Sequence, residues 1–289
     1  PTVGRSNTAT QASLGDAQSG AMTTVRACLL ALFVLLASGS AANSPPRIAI
    51  IIDDLGYRLD AGRRAIELPG PISFAVLPGT PGARSLAVRA FERGKEVLLH
   101  LPLQAMVSDR NEEPLSIRLD MTRSEFNDTF AAALTSVPHA IGVNGHRGSL
   151  LTRHPGHMRW LMEEIQARDN LFFVDSFTTH ESIAIKIADE TGVDARKRDV
   201  FLDPDQHPET VAREFERMKQ LAVKRGSVIV IGHPHSSTLD LLERELPKLE
   251  AEGFELVTIS ELVRDANATM SYKTEAPQKS VELQHLLAL

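Results

Sequence analysis

From Arg47 onward, short apolar runs alternate with longer amphipathic stretches. The runs Ile48–Ile52, Ile72–Val76, Glu96–His100, Ala140–Val143, Leu171–Asp175, Val200–Leu202, Val228–Ile231 and Phe254–Thr258 predict strands. Between them lie stretches with helical period. Ala83–Arg93 follows Pro81-Gly82 and stops at Gly94, and Thr122–Ser136 opens on Thr122 with Glu125 three residues on, the spacing of a capping box. Pro155–Arg168, Pro208–Arg225 and Ser237–Ala251 complete the set, the last two closing near Gly226 and Gly253, as helix C-termini often do. Strands this continuously apolar, each followed by a helix, predict a mostly parallel sheet covered on both faces. With no linker in sight, the pattern favours one closed or nearly closed β/α barrel over residues 46–265, an open doubly wound sheet being the alternative. No glycine-rich phosphate loop follows any strand, so a nucleotide cofactor has no support.

The flanks read differently. Residues 1–21 are small, polar and aperiodic, and the chain begins with Pro1; Met22 is the expected start of translation. Residues 22–42 carry one basic residue (Arg26), an apolar run from Ala27 to Leu36 and a small-residue exit, the three regions of a secretory signal peptide. A membrane span needs about twenty apolar residues, so the run is short for one, and membrane contact is expected only if this segment stays uncleaved. Export, into a periplasm, is the expectation. After Asp265 the alternation is lost, and residues 266–289 read as a tail.

Composition sharpens this picture. The chain has 289 residues, 43% apolar and 24% charged, which excludes collagen, coiled coil and wholesale disorder. A net charge of -6 argues against nucleic acid as a partner. The single cysteine, Cys28, lies in the signal-like segment, so a disulfide scaffold and a cysteine-rich zinc module are both excluded. Any metal must be held by carboxylate and imidazole, and there are ten histidines.

Barrels of this kind build active sites at the C-terminal ends of their strands. Five predicted strands run into carboxylate or imidazole there: Asp53-Asp54, His100, Asn144 to His146, Asp175-Ser176, and His233 with His235. Each group also has a plain reading. Asp53-Asp54 suits a turn, His100 a core histidine bonded to backbone, Asn144–Ser149 a glycine-rich turn, and Asp175 a helix cap. Two imidazoles directly after the buried run Val228–Ile231 are harder to explain that way. His139, His154, His157, His180, His207 and His285 are expected at the surface. Together the strand-end groups have the content of a metal-dependent hydrolase. One carboxylate and two imidazoles suit zinc or a similar divalent ion, a second carboxylate can take a proton from water, and a further histidine can protonate a leaving amine.

The blocks "IIIDDLG", "SFAVLPGTP", "KEVLLHLPLQ", "GVNGHRGSLLT", "FFVDSFTT", "RDVFLD" and "VIVIGHPHSSTL" together resemble the divergent polysaccharide deacetylase family, the YibQ-like proteins, a remote branch of the NodB-type carbohydrate esterases. The resemblance spans roughly residues 46–265. It implies a distorted (β/α) barrel of about seven to eight parallel strands and metal-assisted removal of acetyl groups from an N-acetylated polysaccharide such as peptidoglycan. It implies Asp53 as catalytic base, Asp54 and His100 as metal ligands, and His233 as general acid. NodB-type enzymes carry a second metal histidine where this chain has Gln104; His146 is inferred to complete the site instead. Asp175, His235, Asn144 and Gln104 are expected to contact substrate or support the ligands. The Arg-Pro and Asp-Trp motifs of ordinary deacetylases are absent, which leaves open a catalytically silent glycan-binding or envelope scaffold protein, and the same residues would suit a metal-dependent amidase.

Overall fold

The computed structural model describes residues 44–107, 113–168 and 170–265, so the expected signal segment, the tail, Cys28 and His285 lie outside the described residues. From Pro45 the chain folds as one compact unit around a parallel sheet. Its strands are β1 (Arg47–Leu55), β2 (Ser73–Val76), β3 (Glu96–Leu103), β4 (Ala140–Arg147), β5 (Phe172–Asp175), β6 (Ala195–Lys197), β7 (Val200–Phe201), β8 (Ser227–Gly232) and β9 (Glu255–Leu256). The helices are α1 (Leu59–Ile66), α2 (Ala83–Glu92), α3 (Arg123–Ser136), α4 (Pro155–Gln166), α5 (Ala184–Thr191), α6 (Pro208–Arg225) and α7 (Ser236–Glu245). Eight strands follow the order β6-β5-β4-β3-β2-β1-β8-β7 and curl into a half-barrel, open between β6 and β7. The ninth, β9, pairs with Arg47 and Ile48 of β1, below the point at Ile51 where β2 begins to pair. The fold is therefore the distorted barrel, not the doubly wound sheet.

Period-two alternation sorts each strand between two cores. Ile48, Ile50 and Ile52 of β1, with Val97, Leu99, Val143, Phe173, Val228 and Val230, pack outward on the helices. Ala49, Ile51, Ala75, Leu98, Phe172, Val174, Ile229 and Ile231 face the barrel interior, where Val257, Ile259, Leu262 and Val263 from the end of the described chain join them.

Local signals behave as the sequence implies at several helix ends. Thr122 and Glu125 make the reciprocal capping box of α3, and Gly226 closes α6 in the left-handed region at φ 80°. Other elements depart from expectation. Helices α1 and α5 and strand β6 lie outside the elements expected from the sequence; α1 contains Gly62, which reads as a breaker but sits where a Cβ would come within 2.7 Å of Leu86 Cδ1. Strands β1, β3 and β4 run three or four residues past their apolar runs. Polar residues continue the ladder there, with His100 opposite Asn144 and Pro102 opposite His146. Pro102 is tolerated because β2 pairs β3 only as far as Leu99, so no ladder donor is missed on that side. His157 is buried rather than exposed, its ring packed against Phe126 and Trp160.

Candidate active site and metal centre

Strict alternation would place Asp53 in the interior with Ala49 and Ile51, and Asp54 outside with Ile52. A bulge prevents this. Between Ile52 and Leu55 β1 advances three residues while β2 advances two, from Phe74 to Val76, and Asp54 takes φ 60°. A non-glycine residue in the left-handed region is uncommon and costs energy, which marks a place where the surrounding structure imposes the geometry. The consequence is that both carboxylates face the same mouth of the barrel.

Asp54 Oδ1 lies 3.0 Å from His100 Nε2 and 2.9 Å from His146 Nδ1, and those two nitrogens are 3.1 Å apart. Asp54 Oδ1 is buried, yet it makes no aligned hydrogen bond. A small triangle of three ligand-type atoms, one of them an orphaned oxygen, fits a cation. Tetrahedral zinc bonds of about 2.0–2.1 Å put neighbouring ligand atoms about 3.3 Å apart. The tautomer of His100 also fits. Asn144 Nδ2 donates to Asp53 Oδ1 at 2.7 Å, which leaves Asn144 Oδ1 to accept from His100 Nδ1 at 2.8 Å, so the Nε2 lone pair is free for a metal. The residues present could thus hold a divalent ion through Asp54, His100 and His146.

Asp53 is 2% exposed, and its Oδ2 lies 3.7 Å from His100 Nε2. Burial pushes its carboxyl above the usual range, against the pull of the nearby His100 and His233 charges. Asp54 goes the other way: burial opposes ionisation, but His100 and His146, 3.0 and 2.9 Å from its Oδ1, hold it far below the carboxylate range. Two adjacent aspartates are thereby pushed apart in acidity, one suited to carry a proton and one to stay anionic.

His233 turns Nε2 toward Asp54 Oδ2, 3.8 Å away, and its Nδ1 bonds Asp203 Oδ1 at 2.8 Å. Asp203 Oδ2 accepts from the His233 amide and the Thr238 hydroxyl, each at 2.7 Å. Burial works against the imidazolium, but Asp203, with Asp54 and Asp53 behind it, raises His233 to about 9. Asp203 lies at the end of the block "RDVFLD", outside the expected site residues. The signal was there: it follows the run Val200–Leu202 directly, as Asp53 follows Ile52.

Two expected contributors, Asp175 and Gln104, stand elsewhere, and a third, His235, stands beside His233. Asp175 has the outward parity of Phe173, and it accepts from the Phe177 amide and the Ser182 hydroxyl, so it braces the loop after β5. Gln104 spends Oε1 on the Leu119 amide at 2.8 Å and its carbonyl on the amides of Leu150 and Leu151, tying loops together. His235 occupies the N-cap position of α7 without a side-chain cap bond; its ring stands beside His233, and one ligand-type atom each from Asp203, His233 and His235 lie within 4.8 Å of one another, while burial lowers its basicity. Asn144, fully buried between Asp53 and His100, is the expected supporting residue that the geometry brings into the cluster.

The chain is 37% identical over 243 residues to YibQ of Escherichia coli K12, covering 84% of this chain and 75% of the relative. It is also 37% identical over 219 residues to a protein of Haemophilus influenzae Rd, covering 76% and 77%. Protein ATU2773 of Agrobacterium tumefaciens C58 shares the fold with a TM-score of 0.72 at 20% identity, over 77% of this chain and 91% of that one. The family model described as divergent polysaccharide deacetylase matches residues 50–263, from the strand that carries Asp53 to the segment that closes the barrel interior, and the chain belongs to that family.

Proposed function

We propose that the protein is an exported, divalent-metal-dependent deacetylase of an N-acetylated glycan such as peptidoglycan. The observation that carries this reading is the placement of two proton-transfer groups at different corners of one ligand triangle. Asp53 stands beside His100, and His233, backed by Asp203, stands beside Asp54. A bound divalent ion, zinc in this reading, would polarise the acetamide carbonyl and acidify a water molecule. Asp53 then accepts the water proton through Oδ2, its Oδ1 being occupied by Asn144. As the C–N bond breaks, His233 Nε2–H protonates the leaving amine, and acetate and a free amino sugar result. Asp203 keeps the proton of His233 on the useful nitrogen and stabilises the imidazolium before transfer.

Gln104, standing where ordinary deacetylases carry a metal histidine, favours the second reading of a silent glycan-binding or envelope scaffold protein. His146 supplies the third donor atom in its place, which supports the enzyme. The signal-like residues 22–42 support export, and no helix among the described residues is long and apolar enough to cross a membrane.

The test couples metal analysis to acetate release from chitooligosaccharide and peptidoglycan. One zinc, cobalt or manganese per chain and steady acetate release are expected. Asp53→Asn should keep the metal and lower turnover by about 10²–10⁴-fold. Saturable glycan binding with no acetate release would select the silent reading, and protein that never retains a divalent ion would remove the metal centre.

A further inference from the structure

His146 raises a question that the ligand triangle does not answer. Its Nδ1 is the nitrogen turned toward Asp54 and His100, so the opposite nitrogen, Nε2, must carry the ring proton when Nδ1 donates its lone pair to a metal. That Nε2 is buried and has no hydrogen-bond partner. His100 has no such deficit, because Asn144 takes its second nitrogen. A metal-ligating histidine nearly always gives its other N–H to a carboxylate, carbonyl or water.

The facing group is Glu113. Its Oε1 lies 3.9 Å from His146 Nε2, on the side of the ring away from Asp54. Its Oε2 accepts a hydrogen bond from the Tyr57 hydroxyl. Glu113 is largely sheltered, its side chain 17% exposed, whereas Tyr57 is half exposed. Tyr57 follows β1 by two residues, so the segment that carries Asp53 and Asp54 also carries the group that holds Glu113.

We propose that Glu113, steadied by Tyr57, is a positioning residue that accepts a hydrogen bond from the Nε2–H of His146 and thereby fixes the tautomer presenting Nδ1 to the metal. The inference rests on the metal centre proposed above and assigns a role to two residues outside the ligand set. It makes Tyr57, Glu113 and His146 a chain from the surface to the ligand triangle. A tautomer is a choice between two nitrogens, so the role differs from simply filling space beside the ring.

The test measures zinc affinity by chelator competition on the full chain, together with nitrogen-15 spectra of the zinc-loaded histidines. In wild-type protein His146 should be metal-bound at Nδ1 and carry a slowly exchanging proton on Nε2. Glu113→Ala should weaken zinc binding about 10–100-fold and speed exchange of that proton. Glu113→Gln, which keeps an acceptor without the charge, should fall between wild type and Glu113→Ala, and Tyr57→Phe should lose less than either. Thermal midpoints of the zinc-free variants report any simple loss of packing; if Glu113→Ala does not fold, Tyr57→Phe and the wild-type spectrum still decide. Wild-type protein that takes up no zinc overturns the metal reading and this inference with it. Zinc uptake with unchanged affinity in Glu113→Ala, or His146 bound through Nε2, overturns this inference alone.

Discussion

Asn144 shows how much one uncharged side chain can organise. It is fully buried in β4 and reaches Asp53 with its amide nitrogen and His100 with its oxygen, so it joins the expected base to one expected ligand. Replacing it by Leu would leave a buried carboxylate and a buried imidazole N–H without partners. The expected cost is about 1–3 kcal/mol of stability for each group left unpaired, with a loss of metal affinity of about 10–100-fold. Denaturant unfolding and chelator competition on Asn144→Leu read the two effects separately. Asp54 carries a different kind of information. Its φ of 60° is the local strain that turns its side chain from the helix layer to the barrel mouth. A neutral amide tolerates that backbone well, so Asp54→Asn should fold normally and fail to retain metal; circular dichroism with metal analysis checks both halves of the statement.

At the scale of elements, alternation decides who can meet. Gly142, Asn144 and His146 share the inner parity of β4, and Gly142 stands against the ring of Phe172 on β5. A Cβ there would come within 2.6 Å of the Phe172 ring. Gly142→Ala must therefore push β4 from β5 or displace Phe172, an overpacking cost of about 1–3 kcal/mol. Because Asn144 is two residues further along the same strand, metal affinity should fall together with stability. Unchanged affinity at reduced stability would mean that Phe172 alone yields. The same parity explains why Asp175, one step beyond Val174, braces a loop on the outer side while Asp53, His100 and Asn144 gather inside.

On the scale of the whole molecule, the half-barrel is filled from below. Ile259, Leu262 and Val263 pack among Ala49, Ile51, Leu98 and Ile229 in the interior, at the opposite end of β1 from the bulge. Leu262 is 2% exposed, and its carbonyl accepts from Arg196 of β6, near the open seam. Leu262→Ala should cost about 2–5 kcal/mol through lost burial and the cavity left behind. Its effect belongs to the scaffold: the thermal midpoint should fall while metal stoichiometry in the folded protein stays at the wild-type value. Loss of metal at temperatures where the variant is folded would tie the lower core directly to the site.

The legible part of this protein was the order of elements and the residue types that gather where strands end. Apolar runs separated by helical periods lead to a parallel barrel because burial on both faces leaves little else possible. The strand-end aspartates and histidines point toward metal-assisted hydrolysis because together they can ligate a divalent ion and carry protons. Parity along the strands, though present in the sequence, separates Asp175 from the cluster only once the inner face is known. What the sequence left open depended on contacts between distant segments. The bulge at Asp54, the pairing of His233 with Asp203 across thirty residues, Asn144 between Asp53 and His100, and Gln104 given over to backbone amides have no local periodic signal. Local chemistry determined which groups this chain brings to the mouth of the barrel. Tertiary packing decided which atom of each group faces which, because hydrogen-bond direction and backbone register are fixed only when the strands meet.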